Sequence, residues 1–124
     1  MNDRAAYLLT NYRKIYHDYI MMKPEDEEYE SAKNYIDKMN QYLRDLEHIP
    51  IPETGFLEKS GLTTKQMKLL YFDILTLSYF SETYRSSAEI LEFIKKKYGL
   101  VITASRLSKV KTFVIDYFAM VLPD

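Results

Sequence analysis

IKKKYGLVITASRLSKVK, residues 94–111, places one glycine and a short β-branched run between two helical patterns. Three lysines, Lys95–Lys97, end the first pattern, and Gly99 fits the position after a helix where φ is positive. Thr103 can cap a second helix, predicted over roughly 104–121, by accepting a backbone N–H. The stretch therefore predicts two consecutive helices joined by a tight turn. It leaves open whether this is an ordinary surface turn or one that aims the second helix at DNA.

Two capping boxes mark the start of the helix that ends at these lysines and of one helix further upstream. Thr63 and Gln66 can bond each other's backbone N–H groups, and Ser86 and Glu89 can do the same. Apolar residues follow both starts at helical spacing. The short run Leu100–Ile102 is the one signal that suggests a strand. The predicted buried positions of the last three helices are Met67, Leu70, Tyr71, Ile74, Leu77, Ile90, Leu91, Phe93, Ile94, Tyr98, Leu107, Val110, Val114, Tyr117 and Val121.

The N-terminal residues carry two apolar stripes with spacings that alternate between three and four positions. Such a stripe is typical of a helix that packs against a partner helix. Asn2 or Asp3 can cap the first helix, and Pro24 fits the first turn of the second, ahead of the acidic residues Glu25–Glu28. Helices joined so closely run antiparallel, which predicts a helical hairpin over residues 3–47. The stripes are Ala5, Leu8, Tyr12, Ile15, Tyr19 and Met22, then Tyr29, Ala32, Ile36, Met39, Leu43 and Leu46.

Residues 48–62 form a predicted linker, because Pro50 and Pro52 each disfavour helical backbone at the preceding residue. A short turn of helix is expected within it, around residues 53–59. The linker is the only position where the sequence suggests a subdomain boundary.

The sequence as a whole predicts an all-α fold of about five helices. An acidic, antiparallel helical hairpin over residues 1–47 precedes the linker, and a trihelical, helix-turn-helix-like part follows over residues 63–124. We expect one merged core, because apolar hairpin residues outside the two stripes must cover the C-terminal part or a second chain. These residues are Leu9, Tyr16, Ile20, Tyr35 and Tyr42.

Composition excludes several classes of protein. The 124 residues include no cysteine, which rules out disulfides, zinc–thiolate sites and a cysteine nucleophile. No apolar run reaches the roughly 18 residues of a membrane span, and the N-terminus lacks the pattern of a secretion signal, so we expect a cytoplasmic protein. Residues 1–58 hold seven Lys/Arg and twelve Asp/Glu, whereas residues 59–124 hold ten and six. This asymmetry suggests an anionic partner for the C-terminal half.

Signatures of catalysis and of metal binding are missing from the sequence. The two histidines, His17 and His48, have no carboxylate at ligand spacing. Glu25–Glu30 is acid-rich, but a solvated helix N-terminus explains that run, because the helix dipole favours negative charge there. We therefore predict a protein that is not an enzyme and that needs no cofactor or metal.

The charge of the basic half is concentrated around the opening stretch. From Arg85 to Lys111 the chain holds seven basic residues and two acidic ones. Lysines at a helix C-terminus are favoured in any protein, so part of this charge has an ordinary structural explanation. In a helix-turn-helix, however, the last helix inserts its first turns into the major groove, and the preceding helix crosses the backbone. The predicted DNA contacts are Ser105, Arg106, Ser108, Lys109 and Lys111 on the last helix, with Lys95, Lys96 and Lys97 on phosphates.

AEILEFIKKKYGLVITASRLSKVK, residues 88–111, resembles the helix-turn-helix of bacterial sigma-type regulators. The resemblance is to the longer-turn form found in the promoter-binding element of the alternative sigma factor for nitrogen genes. The residues at positions comparable to those of that helix-turn-helix are Glu89–Ile90, Tyr98–Gly99, Ile102–Thr103 and Arg106–Lys109.

LTTKQMKLL, residues 62–70, resembles the first helix of sigma region 4 and the start of phage terminase small subunits. The combination is similar to small late-gene regulators of Gram-positive phages. The chain departs from the compact helix-turn-helix at Leu91, where a small residue is usual, and in a turn about four residues longer.

The resemblance implies a DNA-binding regulator of phage or mobile-element origin that reads double-stranded DNA with the helix starting near Thr103. The hairpin would then mediate dimerisation or contact a protein such as RNA polymerase. The alternative is a non-enzymatic helical interaction protein, such as a phage-encoded inhibitor of a host protein or an assembly factor, that binds its partner through the hairpin. Met21, Met22 and Met39 near the hairpin ends would suit such an adaptable contact. A homodimer is compatible with both hypotheses.

Overall fold

The computed structural model describes residues 3–51, 60–81 and 85–123, and over these ranges the fold is all-α, as the sequence predicts. No residue in these ranges forms a β-strand, so Leu100–Ile102 is an irregular connection. The predicted helical turn at residues 53–59 lies outside the described residues. The described α-helices are α1 (Asp3–Ile20), α2 (Tyr29–Asp45), α3 (Thr64–Leu75), α4 (Ser87–Tyr98) and α5 (Ala104–Ala119), with a 3-10 turn at Leu46–His48 and a π-helical turn at Thr76–Phe80.

α1 and α2 form the expected antiparallel hairpin. Near its closed end the Tyr19 and Tyr29 rings stack with their centroids 5.3 Å apart. Further from that end, the Asn40 side-chain amide donates to the Tyr12 hydroxyl at 3.1 Å. Tyr19, late in α1, therefore contacts Tyr29 at the start of α2, and Tyr12, earlier in α1, contacts Asn40 further along α2. The two helices thus run in opposite directions.

α2 begins later than the sequence predicts. Its first residue is Tyr29, and the segment from Pro24 to Glu28 forms turns instead of the first helical residues. The cause is Asp26, whose carboxylate accepts the Lys23 N–H at 2.8 Å while its own N–H donates to the Lys23 carbonyl at 2.9 Å. This local turn competes with helix formation, as Asp side chains commonly do.

α1 packs on two sides. Ala5 and Tyr12 of the predicted stripe are buried against the core, whereas Leu8 is only half-buried. Leu9, outside that stripe, is fully buried in the same apolar cluster as residues of α3, α4 and α5. α1 therefore contacts both α2 and α5, and the hairpin and the C-terminal helices share one core.

The centre of the core is aromatic. Tyr71, Tyr117 and Phe118 are each at most 2% exposed. The Tyr117 hydroxyl donates to the Ile49 carbonyl at 2.6 Å, which ties the last turn of α5 to the chain that leaves the hairpin. A buried phenol needs such a partner, and this bond provides it.

Both predicted capping boxes are present. The Gln66 N–H donates to Thr63 Oγ1 at 3.1 Å and the Thr63 N–H to Gln66 Oε1 at 2.9 Å, while Ser86 and Glu89 form the equivalent pair. The apolar spacing after these caps also predicted the core well. Of the expected positions, Leu70, Tyr71, Ile74, Ile90, Ile94, Leu107, Val110, Val114 and Tyr117 are buried, and Met67, Leu77, Leu91, Phe93, Tyr98 and Val121 are half-buried. None of the helices in the described ranges is long and apolar enough to cross a membrane.

Candidate nucleic-acid interface and a basic cavity

Gly99 and Thr103 determine where α5 begins. Gly99 has φ of +65°, a conformation that glycine adopts without a Cβ clash, and its N–H donates to the Lys95 carbonyl at 2.9 Å. Thr103 is extended, and its Oγ1 accepts the Arg106 N–H at 3.0 Å. The predicted cap is thus present, and the first turn of α5 is held in a defined orientation without burying its outer face.

The front of α5 is exposed on one side and buried on the other. Ser105, Arg106, Ser108 and Lys109 are all exposed, whereas Leu107 on the opposite face is 1% exposed. Residues 93–115 contain six Lys/Arg and no Asp or Glu. The arrangement presents hydroxyl, guanidinium and ammonium groups outward from one rigid element, as contact with base edges and phosphates requires.

Two of the three lysines at the end of α4 add to this surface. Lys95 and Lys96 are exposed, and Lys96 Nζ lies 3.6 Å from Glu92 Oε1 one turn earlier. Ion pairs between such exposed side chains contribute little to stability, so the Lys96 ammonium can leave Glu92 for another anion at little cost in free energy. Both ammonium groups are therefore accessible to an anion from solvent.

Lys97 has a different environment. Its Nζ lies 2.7 Å from Asp73 Oδ2 of α3, and it also lies over the Phe93 and Tyr98 rings, 5.5 Å from each centroid. The Tyr98 hydroxyl donates to the same Asp73 oxygen. Burial, and then this bond to Asp73, raises the pKa of Tyr98. Lys97 thus links α4 to α3, which the sequence did not indicate.

Lys111 lies apart from the exposed front of α5. It is half-buried and faces α1, where it lines an open cavity of about 610 Å³. Burial, and then the nearby Arg13 guanidinium, lowers the pKa of the Lys111 ammonium. The structure therefore brings Ser105, Arg106, Ser108 and Lys109 together but separates Lys111 from them.

The walls of this cavity, called the basic cavity below, come from four elements. α1 supplies Arg13, Lys14, His17 and Asp18, the π-helical turn supplies Ser78 and Tyr79, Arg85 precedes α4, and Lys111 belongs to α5. Sequence reasoning missed it, because it assigned the hairpin an acidic character as a whole. A usable signal was present, since Arg13, Lys14 and His17 are spaced to share one face of a helix.

The hairpin tip has a mixed acidic and apolar surface. Ile20 is 53% and Met21 82% exposed, and residues 25–28 are exposed as well. Met22 is half-buried and Met39 is 2% exposed, so Met39 belongs to the core and not to a contact surface as the sequence suggested. Met39 is buried because it belongs to the apolar stripe of α2, which packs into the core.

These surfaces differ in charge and in shape. Within the described ranges no group of three or more His, Cys, Asp or Glu residues could hold a metal ion. The exposed cations and hydroxyls on α5 suit a polyanion, and the basic cavity suits a compact anion. Neither a family model, nor a curated protein, nor a solved structure matches this chain significantly.

Proposed function

We propose that this protein is a DNA-binding regulator that places the front of α5 in the major groove of double-stranded DNA. The observation that carries the proposal is the exposure of Ser105, Arg106, Ser108 and Lys109 on the first turns of a helix with a buried opposite face. In helix-turn-helix proteins the same turns of the recognition helix contact base edges. Arg106 and Lys109 would bond guanine edges or phosphates, and the serines either kind of group.

The end of α4 supplies the backbone contacts in this proposal. Lys95 and Lys96, both exposed, would meet phosphates beside the groove. Lys97 would act mainly by holding α4 on α3 through Asp73. Lys111 would lie beyond the groove, because it faces α1.

The resemblance of residues 62–70 and 88–111 to sigma-type regulators and to small phage late-gene regulators supports the biological setting of the proposal. We infer a cytoplasmic regulator of phage or mobile-element origin. The hairpin would serve self-association into a homodimer or contact with a protein such as RNA polymerase.

Fluorescence anisotropy with labelled duplexes tests the proposal, measured from about 50 to 300 mM salt. We expect affinity to fall steeply with salt, by nearly one logarithmic unit per phosphate contact per decade of salt. Arg106→Ala should reduce the preference for one duplex sequence over another, whereas Lys96→Ala should weaken all duplexes alike. If neither substitution changes binding, the front of α5 is not the DNA-binding surface.

The second candidate is a helical interaction protein that binds a protein partner through the hairpin and binds no DNA. The observation in its favour is the exposed pair Ile20 and Met21 beside the exposed acidic residues 25–28. Such a surface fits a partner with basic residues around an apolar patch. Retention on heparin separates the candidates, because a DNA-binding surface should need high salt for elution and an acidic surface should not.

A further inference from the structure

We propose that the basic cavity between α1, the π-helical turn and α5 binds a small anion that carries a phosphate or diphosphate group. Its wall includes the cations Arg13, Lys14, Lys111 and Arg85, the last of which lies 3.7 Å from the Glu89 carboxylate. Among the wall residues that the structure describes, Asp18 is the one acidic residue. The cavity is also of the size that small-molecule ligands occupy, at about 610 Å³. This site is separate from the exposed front of α5.

The first argument is electrostatic. Arg13 and Lys111 come from different helices and line the same cavity, where burial and then the Arg13 guanidinium lower the pKa of the Lys111 ammonium. Like charges that are partly removed from water repel each other, and the fold holds them together nonetheless. A phosphate between the two cations converts this repulsion into two attractions, so the site gains most from a compact dianion.

The second argument is the bond that holds Arg13 at the wall. Ser78 is 9% exposed, and its Oγ has no hydrogen-bond partner in the part of the chain that the structure describes. Its carbonyl accepts a bond from the Arg13 guanidinium, so Ser78 lies directly beside the cations. The Ser78 Oγ is closed off from the cavity, so this residue acts through its carbonyl, which holds the Arg13 guanidinium at the wall.

The third argument is the local backbone. Ser78 lies in the π-helical turn Thr76–Phe80, which widens the end of α3 where it meets α1. π-Helical turns are rare and occur mostly at functional sites. The turn also places Tyr79 in the cavity wall, next to the cations. Tyr79 would offer an aromatic surface to the organic part of a nucleotide.

A small anion fits this site better than a DNA backbone does. Lys111 and Ser78 lie on a concave wall with Leu9, which is itself fully buried. The convex backbone of a duplex reaches exposed groups and not recessed ones. The proposal therefore predicts that Lys111 matters for phosphate binding and that Lys109, two positions earlier on the exposed face, does not.

Isothermal titration of the full chain with sodium pyrophosphate, with inorganic phosphate and ADP in parallel, tests the proposal. Sodium sulfate at matched ionic strength is the control for general screening. Lys111→Gln should weaken pyrophosphate binding at least tenfold, as expected for the loss of one charge-assisted hydrogen bond of about 1.5 kcal/mol. Lys109→Gln makes the same change of charge on the same helix and should leave the affinity unaltered.

The two other ligands distinguish the sources of the phosphate. Tighter binding of ADP than of pyrophosphate would indicate a nucleotide, and the reverse order would indicate the free anion. Lys14→Gln, at an exposed position of the cavity rim, provides a second reduced-affinity variant that does not depend on the folding of Lys111→Gln.

The proposal fails if the wild-type protein shows no saturable binding of any of the three phosphates below about 10 mM, an affinity too weak for a built site. It also fails if Lys109→Gln loses pyrophosphate binding as Lys111→Gln does. Its failure is distinct from failure of the DNA proposal, because duplex binding is expected to decrease in Lys109→Gln and to stay unchanged in Lys111→Gln.

Discussion

Lys97 of α4 and Asp73 of α3 form an ion pair in which Nζ and Oδ2 lie 2.7 Å apart. The Asp73 side chain is 16% exposed, and it also accepts the hydroxyl of Tyr98. One carboxylate thus joins two residues at the end of α4 to the helix on which α4 packs. This link holds the end of α4 against α3, directly before the turn that leads to α5.

Asp73→Asn should destabilise the protein by about 1–2 kcal/mol, because a neutral amide accepts more weakly from the Lys97 ammonium and the Tyr98 hydroxyl. Glu92→Gln is the matched control. Its partner Lys96 is at the surface, so the change should stay within about 0.5 kcal/mol. Denaturant unfolding of both variants measures the difference. Equal effects would show that the Asp73 link adds no stability.

Thr103→Ala should cost about 1 kcal/mol of unfolding free energy, because the Arg106 N–H loses the Oγ1 that accepts it. It should also weaken duplex binding, since the first turn of α5 would fray. Thr64→Ala, at an exposed position that does not cap α3, is the control and should be near neutral. Unchanged stability in Thr103→Ala would mean that the cap does not hold the turn.

Stability should decline at alkaline pH through Tyr35. Burial, and then the nearby Tyr7, raises the pKa of the Tyr35 phenol from 10.0 to about 12. A raised folded-state pKa means that the folded protein holds this proton more tightly than the unfolded chain does. The contribution of the neutral Tyr35 phenol to folding stability is therefore complete below pH 10 and is lost as the pH rises to about 12. Tyr35→Phe should flatten this decline in pH-dependent unfolding.

Tyr35→Phe should also lower stability at neutral pH by about 1 kcal/mol, because the phenol donates to the Leu8 carbonyl. An alkaline decline as steep in Tyr35→Phe as in the wild-type protein would assign the pH dependence to other tyrosines.

Ser78→Ala should leave the free energy of unfolding unchanged or raise it by up to about 1 kcal/mol when no phosphate is added, because a buried hydroxyl without a partner is costly. The same variant should gain as much thermal stability from pyrophosphate as the wild-type protein, because the Ser78 Oγ does not reach the cavity surface. Ser105→Ala, on the exposed front of α5, should behave as the wild-type protein in both assays. A loss of more than about 1 kcal/mol in Ser78→Ala would reveal a native partner for the hydroxyl.

Local chemistry made much of the fold predictable. The caps at Thr63, Ser86 and Thr103 depend on residues three positions apart, and each forms as expected. The start of α2 was misplaced because Asp26 bonds the Lys23 N–H and so completes a turn where Pro24 alone would favour a helix. Pro24 favoured a helix start and Asp26 favoured a turn, and residue spacing alone does not show which of the two preferences is stronger.

The two candidate surfaces differ in how far the sequence could predict them. The exposed face of α5 can be predicted from the apolar positions of that one helix, so the exposure of Arg106 and Lys109 was expected. The basic cavity depends on how α1 lies across α5, a relation between segments about a hundred residues apart. Only the structure brings Arg13 and Lys111 together.

Duplex binding of two charge-matched triple variants tests the central claim most directly. Lys96→Ala/Arg106→Ala/Lys109→Ala removes three exposed cations around the turn, and Lys23→Ala/Lys33→Ala/Lys38→Ala removes three exposed cations from the hairpin. The account predicts salt-sensitive binding by the wild-type protein that the first variant loses and the second retains. Equal binding by both variants, or no binding by the wild-type protein at about 50 mM salt, would contradict it.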